Sequence, residues 1–155
     1  MAVFTATEAV EMALEIEKNG EVFYNAAAAK SADPEVKALF EDLAVQEQGH
    51  YRIFEKMLGG LKPAPALPAE EYDQYQAYLQ VALDNALFAG PDKALTLARE
   101  AQDKQTALRA ALGFEKDTLL FFYDLREMVG DADREKVNGI IREEKKHVRR
   151  LAAML

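Results

Sequence analysis

The sequence contains no cysteine and no tryptophan, and it has only 8 glycines and 5 prolines among its 155 residues. Without cysteine the chain forms no disulfide, zinc ribbon or cysteine-ligated iron centre. It also lacks an apolar run near the roughly 20 residues that span a bilayer, and its first residues do not resemble a signal peptide. We therefore expect a cytoplasmic protein without a membrane segment.

Basic residues are scarce relative to acidic ones. The chain has 19 lysines and arginines against 27 aspartates and glutamates, for a net charge of −8. Because proteins that bind nucleic acids carry a basic surface, this balance argues against a nucleic-acid partner. A chain of this length, half of it hydrophobic, is expected to form one domain over residues 1–155 with a sizeable core.

Segments rich in alanine, leucine, glutamate and lysine predict four long helices. Thr5 with Glu8 has the pattern of a capping box, and Asp33-Pro34 has that of a helix start. We predict helix A over 6–31, helix B over 34–58, helix C over 104–129 and helix D from 132 to the C-terminus, with shorter helices over about 69–88 and 91–102.

Helices A and B share a short turn, as do C and D, so each pair should be an antiparallel hairpin. The long connection between B and C suits a crossover that runs along a bundle. The expected fold class is therefore all-α, a ferritin-like four-helix bundle.

Four glutamates and both histidines fall on the apolar stripes of the four helices. Each lies about 15 residues from the turn of its hairpin, which places all of them at one level of the bundle. Buried carboxylates without partners are strongly destabilising, whereas two divalent cations would neutralise the glutamates and give the histidines a partner. The predicted metal ligands are Glu17, Glu47, His50, Glu115, Glu144 and His147.

The two halves of the chain repeat this pattern. The pair Glu47 and His50 returns 97 residues later as Glu144 and His147. Glu143 is an alternative to Glu144 because it lies four residues before His147, but it points about 100° away from the apolar stripe. The repeat therefore selects Glu144.

Two tyrosines follow the isolated glutamates. Tyr24 comes seven residues after Glu17, and Tyr123 comes eight residues after Glu115. The extra residue in the second half predicts a π-bulge in helix C. Both tyrosines are candidates to hydrogen-bond a metal ligand or to relay electrons; the alternative is a core tyrosine with a tethered hydroxyl.

The chain resembles the rubrerythrin family, within the ferritin-like superfamily, in the segments EKNGEVFY (17–24), LAVQEQGH (43–50), 115–123 and EKKH (144–147). This resemblance implies that Glu47 and Glu144 bridge two metals. It further implies that one glutamate, Glu17 or Glu115, is a terminal ligand of each metal. Each metal would also bind one histidine, His50 or His147.

The chain departs from typical rubrerythrins in two features. Typical rubrerythrins append a rubredoxin domain, for which this chain has no cysteines, and they carry an additional glutamate where this chain has Leu112. The ligand set thus resembles those of bacterioferritins and manganese catalases as well. We expect a stand-alone dimetal domain that holds two iron ions. Manganese or a mixed iron–manganese pair is also compatible, and zinc could bind adventitiously.

The expected reaction is oxidation of the reduced metal pair by hydrogen peroxide or dioxygen, in protection against oxidative stress. Electrons would come from a separate donor protein. The alternatives are a ferroxidase or iron-storage protein, and a metal-binding bundle with a structural or partner-binding role. Only eight residues follow His147, fewer than the extra C-terminal helix of bacterioferritin-type cages needs, so we expect a homodimer.

Overall fold

The computed structural model describes residues 5–61, 73–74, 77 and 90–155. These residues form five helices and no strand: α1 (Ala6–Lys30), α2 (Pro34–Gly60), α3 (Pro91–Glu100), α4 (Lys104–Met128) and α5 (Asp131–Ala153). The all-α prediction is confirmed, and each described helix ends within two residues of its predicted bounds. The helix predicted over 69–88 lies outside the described residues, apart from Asp73, Gln74 and Ala77, which are helical.

The helix starts follow the capping signals in the sequence. At α1, the Glu8 backbone N–H donates to Oγ1 of Thr5 at 3.1 Å, and the Thr5 N–H donates to Glu8 at 3.0 Å. At α2, Asp33 accepts from the backbone N–H groups of Glu35 and Val36. Asp103 caps α4 by accepting from the Thr106 N–H at 2.7 Å. These bonds satisfy N–H groups that have no partner inside the helix.

The four long helices pack as two hairpins. Helix α1 packs against α2, and α4 packs against α5; α1 also contacts α3 and α4, and α2 contacts α5. The hairpins are further linked at one end by Lys104, whose Nζ lies 3.1 Å from Oδ2 of Asp33. None of the described helices has the length and apolar character needed to cross a membrane.

Helices α1 and α4 approach closely at Gly20. A Cβ atom at this position would lie 2.9 Å from two ring atoms of Phe114 and 3.3 Å from Cγ of Glu47. A glycine in the middle of a helix costs about 1 kcal/mol relative to alanine. Gly20 is nevertheless required here, because only a residue without a side chain lets the two helices pack this closely beside the predicted ligands.

The buried face of α4 differs in part from the predicted stripe. Spacing places Leu112 and Leu119 on the same stripe as Glu115, but both leucines are only half-buried. The neighbouring Ala111 and Thr118 are buried instead. The core of α4 is therefore rotated slightly from the face that the leucines alone indicate, while Glu115 remains buried.

Candidate metal centre

All six predicted ligands meet in the interior, and each is at most 1% exposed. Every long helix contributes, so the cluster lies where the two hairpins pack together. Helix α1 supplies Glu17, α2 supplies Glu47 and His50, α4 supplies Glu115, and α5 supplies Glu144 and His147.

The six residues form two overlapping groups, and within each group the ligand atoms lie within 4.8 Å of one another. The group of Glu17, Glu47, His50 and Glu144 is called here the His50 position. The group of Glu47, Glu115, Glu144 and His147 is called the His147 position. Both positions contain Glu47 and Glu144, so these two glutamates are shared between them.

The shared carboxylates direct one oxygen to each histidine. Oε1 of Glu144 lies 2.9 Å from Nδ1 of His50, and its Oε2 lies 2.8 Å from Nδ1 of His147. Oε2 of Glu47 lies 3.7 Å from Nδ1 of His50, and its Oε1 lies 3.6 Å from Nδ1 of His147. This arrangement is that of two carboxylates able to bridge a pair of metal ions.

The isolated glutamates complete the two positions. Oε2 of Glu17 lies 3.6 Å from Nδ1 of His50. Oε1 of Glu115 lies 3.4 Å from Nδ1 of His147. The two imidazole rings stack with centroids 5.6 Å apart and an angle of 17° between their planes. Each position thus has its own histidine and its own glutamate.

Most ligand atoms of the cluster are buried and, although some lie within 3 Å of one another, make no hydrogen bond in the described structure. These atoms are both oxygens of Glu17, Glu47 and Glu144, Oε2 of Glu115, and Nδ1 of His50 and His147. Buried polar groups are rarely left unpaired in proteins. Two divalent cations would satisfy them, and oxygen and imidazole donors suit iron or manganese. The residues therefore fit a dimetal centre.

Without metal, the cluster is balanced by protons. Burial raises the pKa of Glu17 and Glu115 well above the usual value, and neighbouring carboxylates raise it further. Burial by itself would lower the pKa of His147, but contacts with Glu115 and Glu144 raise it to about 12. The pKa of His50 is likewise raised, by Glu17 and the carboxylates beside it, despite its burial.

The far nitrogen of each histidine is held by a residue that the sequence reasoning did not assign to this role. Nε2 of His50 lies 2.6 Å from Oε2 of Glu143, and Nε2 of His147 lies 2.7 Å from Oε1 of Gln46. Glu143, the alternative ligand, is thus a partner of His50 outside the cluster. Such contacts orient ligating histidines and favour one tautomer. Their signal in the sequence is that both precede a Glu-x-x-His motif.

The two candidate tyrosines have different surroundings. The Tyr24 hydroxyl donates to Oε1 of Glu115, and burial raises the pKa of Tyr24 well above its usual value, with Glu115 adding to the shift. The half-buried Tyr123 ring contacts Arg126 and Lys145. The expected π-bulge is absent from α4, which is α-helical from Lys104 to Met128.

Comparisons with known proteins agree with the fold. The rubrerythrin family model matches residues 8–155. No curated protein matches the chain. A solved structure from Thermotoga maritima, described as a ferritin-like diiron-carboxylate protein, is 23% identical, with a TM-score of 0.70 over 99% of this chain and 96% of that chain. The match to the family model spans nearly the whole sequence, and the chain belongs to the rubrerythrin family.

Proposed function

We propose that this chain is an oxidoreductase in which a reduced iron pair reacts with hydrogen peroxide or dioxygen. The observation that carries the proposal is the pair of shared glutamates, Glu47 and Glu144, each with one oxygen directed to each histidine. Two ferrous ions held there would supply the two electrons that reduce one hydrogen peroxide, with two protons, to two waters. Manganese could do the same, whereas zinc has no redox chemistry.

The surroundings of the cluster favour a small oxidant. All six predicted ligands are at most 1% exposed, and the packed side chains Phe40, Phe54 and Phe122 are fully buried in the same core. A protein interior packed at native density admits small molecules far more readily than bulky ones. The Tyr24 hydroxyl holds one oxygen of Glu115 in place at the edge of the cluster.

The proposal includes partners. The sequence has no cysteine, so this chain cannot carry an iron–sulfur or rubredoxin-type centre of its own. We therefore expect a separate protein to return electrons to the oxidised metal pair. We further propose that the chain acts as a homodimer in the cytoplasm.

The test is an anaerobic titration of the ferrous-loaded chain with hydrogen peroxide, followed by the absorption of ferric iron. We expect oxidation to end at one peroxide for each pair of irons, and to be repeatable after chemical reduction. Glu47→Ala should abolish this endpoint. Glu41→Ala, an exposed position on the same helix, should retain it.

The other outcomes distinguish the alternatives. Large particles that continue to take up and oxidise excess iron would contradict the proposal and support iron storage. A loaded protein that peroxide and dioxygen leave ferrous would contradict any redox role, and would leave a structural or partner-binding function.

A further inference from the structure

Nε2 of each histidine, the ring nitrogen that faces away from the cluster, contacts a side chain, and the two side chains differ in charge. A carboxylate, Glu143, contacts Nε2 of His50, and a neutral amide, Gln46, contacts Nε2 of His147. Gln46 and Glu143 are 97 residues apart, the same spacing that relates the two Glu-x-x-His motifs. They are therefore equivalent positions of the repeat, and only one of them carries a charge.

The orientation of Gln46 is fixed by its other contacts. Its Nε2 donates to Oδ2 of Asp42 at 2.7 Å, and the same Asp42 oxygen accepts from Nη1 of Arg150 at 2.6 Å. Only the amide oxygen of Gln46 is then available to His147, so His147 donates through Nε2 and leaves Nδ1 for a metal. His50 donates in the same way to Glu143. Both histidines thus present Nδ1, and the difference between them is the charge of the acceptor.

The terminal glutamates differ as well. Glu115 accepts a hydrogen bond from the Tyr24 hydroxyl. Phe122 follows Glu115 by seven residues, as Tyr24 follows Glu17, but it has no hydroxyl to donate. Within the described part of the chain, neither oxygen of Glu17 has a hydrogen-bond partner. Glu17 is therefore available to a cation without a competing hydrogen bond, whereas Glu115 also accepts one from Tyr24.

Both differences make the ligands of the His50 position stronger than those of the His147 position. A carboxylate behind an imidazole raises its basicity as a ligand and adds negative charge near the metal. A hydroxyl that donates to a carboxylate weakens it as a ligand. We propose that the two positions bind metal unequally, with the His50 position filled first, and that Glu143 is the positioning residue responsible for most of the difference. This inference rests on the dimetal centre of the proposed function.

The experiment is calorimetric titration of the metal-free full chain with Co²⁺, with visible absorption recorded in parallel. We expect two binding steps whose affinities differ by about tenfold or more in the native chain. Because the Glu143 side chain is 50% exposed, Glu143→Gln should keep the fold, which far-UV circular dichroism checks. Glutamine keeps an acceptor for Nε2 of His50 but loses the charge, so Glu143→Gln should weaken the tighter step by about tenfold, the lower end of the effect of altering such a partner.

Gln46→Ala is the matched variant at the equivalent position of the repeat. Gln46→Ala should weaken the looser Co²⁺ binding step and so increase the difference between the two affinities. Glu143→Gln should decrease that difference. Equal steps in the native chain, or equal effects of Glu143→Gln on both steps, would overturn the inequality while leaving the dimetal centre intact. Failure of the native chain to bind Co²⁺ would overturn the metal centre itself, and the inequality with it.

Discussion

The carboxylate of Glu144 contacts both imidazoles at once, with Nδ1 of His50 at 2.9 Å and Nδ1 of His147 at 2.8 Å. Burial alone would raise the pKa of this carboxyl, but its contacts with the two histidines lower it instead. A buried charge is stable only beside a compensating one. In the metal-free cluster the compensating charges are protons on the histidines, and bound cations would replace them.

Metal binding should therefore release protons. With its pKa raised to about 12, His147 carries a proton at neutral pH, and a metal ligand must be a neutral imidazole. The apparent affinity for Co²⁺ or Mn²⁺ should rise as the pH increases through the neutral range. Calorimetry at one pH in two buffers of different ionisation enthalpy measures the protons released. Equal heats in both buffers would contradict the assignment.

Replacement of Tyr24 tests its contact with Glu115. Tyr24→Phe removes the donor to a buried oxygen, so we expect the metal-free protein to lose about 1–3 kcal/mol of unfolding free energy, measured by urea denaturation. Tyr123→Phe is the matched control, because that half-buried ring packs on Arg126 and Lys145 and should change stability by less than about 0.5 kcal/mol. Similar losses in both variants would contradict the difference between the two tyrosines.

At the scale of the helices, the sequence predicts most of the architecture. The cap residues Thr5, Asp33 and Asp103 mark helix starts because side-chain oxygens are needed there to accept from free N–H groups. Helical periodicity combined with equal distance from the turns predicted which six polar side chains would meet. Both signals are local or geometric, so one sequence suffices for them.

Helical periodicity alone does not predict which neighbouring residues of α4 face the core. Helical spacing puts the apolar Leu112 and Leu119 on the stripe of Glu115, yet small or polar neighbours such as Thr118 occupy the buried face. Tyr123 is the counterpart of Tyr24 only if α4 contains a π-bulge, but an unbroken α-helix puts Phe122, seven residues after Glu115, at the equivalent turn. Such differences of one residue depend on how neighbouring helices are rotated against each other.

Gly20 provides a prediction about helix packing. Gly20→Ala gains about 1 kcal/mol in helix propensity, but its Cβ would lie 2.9 Å from the buried Phe114 ring, and overpacking costs about 1–3 kcal/mol. We expect a net loss of stability in thermal unfolding. Gly113→Ala, exposed and with nothing within 4 Å of its Cβ, should instead gain up to about 1 kcal/mol. A gain in both variants would contradict the close packing at Gly20.

At the scale of the molecule, the fold joins two repeats into one site. Each hairpin carries one isolated glutamate and one Glu-x-x-His pair, and neither hairpin alone contains either metal position complete. Glu17, Glu47 and His50 need Glu144 from the other hairpin, so a bound metal links the two halves of the bundle. Ligands that bind only the folded state stabilise it. Because each position needs ligands from both hairpins, the metal content of the chain reports directly on whether the site is formed.

The most direct measurement is the metal content per chain after anaerobic loading with ferrous iron and removal of unbound metal. We predict about two irons per native chain, as the two overlapping positions require, and loss of both in Glu47→Ala and in Glu144→Ala, since each variant removes a shared ligand. Native chains without stoichiometric metal, or variants that retain both irons, would contradict the dimetal centre on which the proposed function depends.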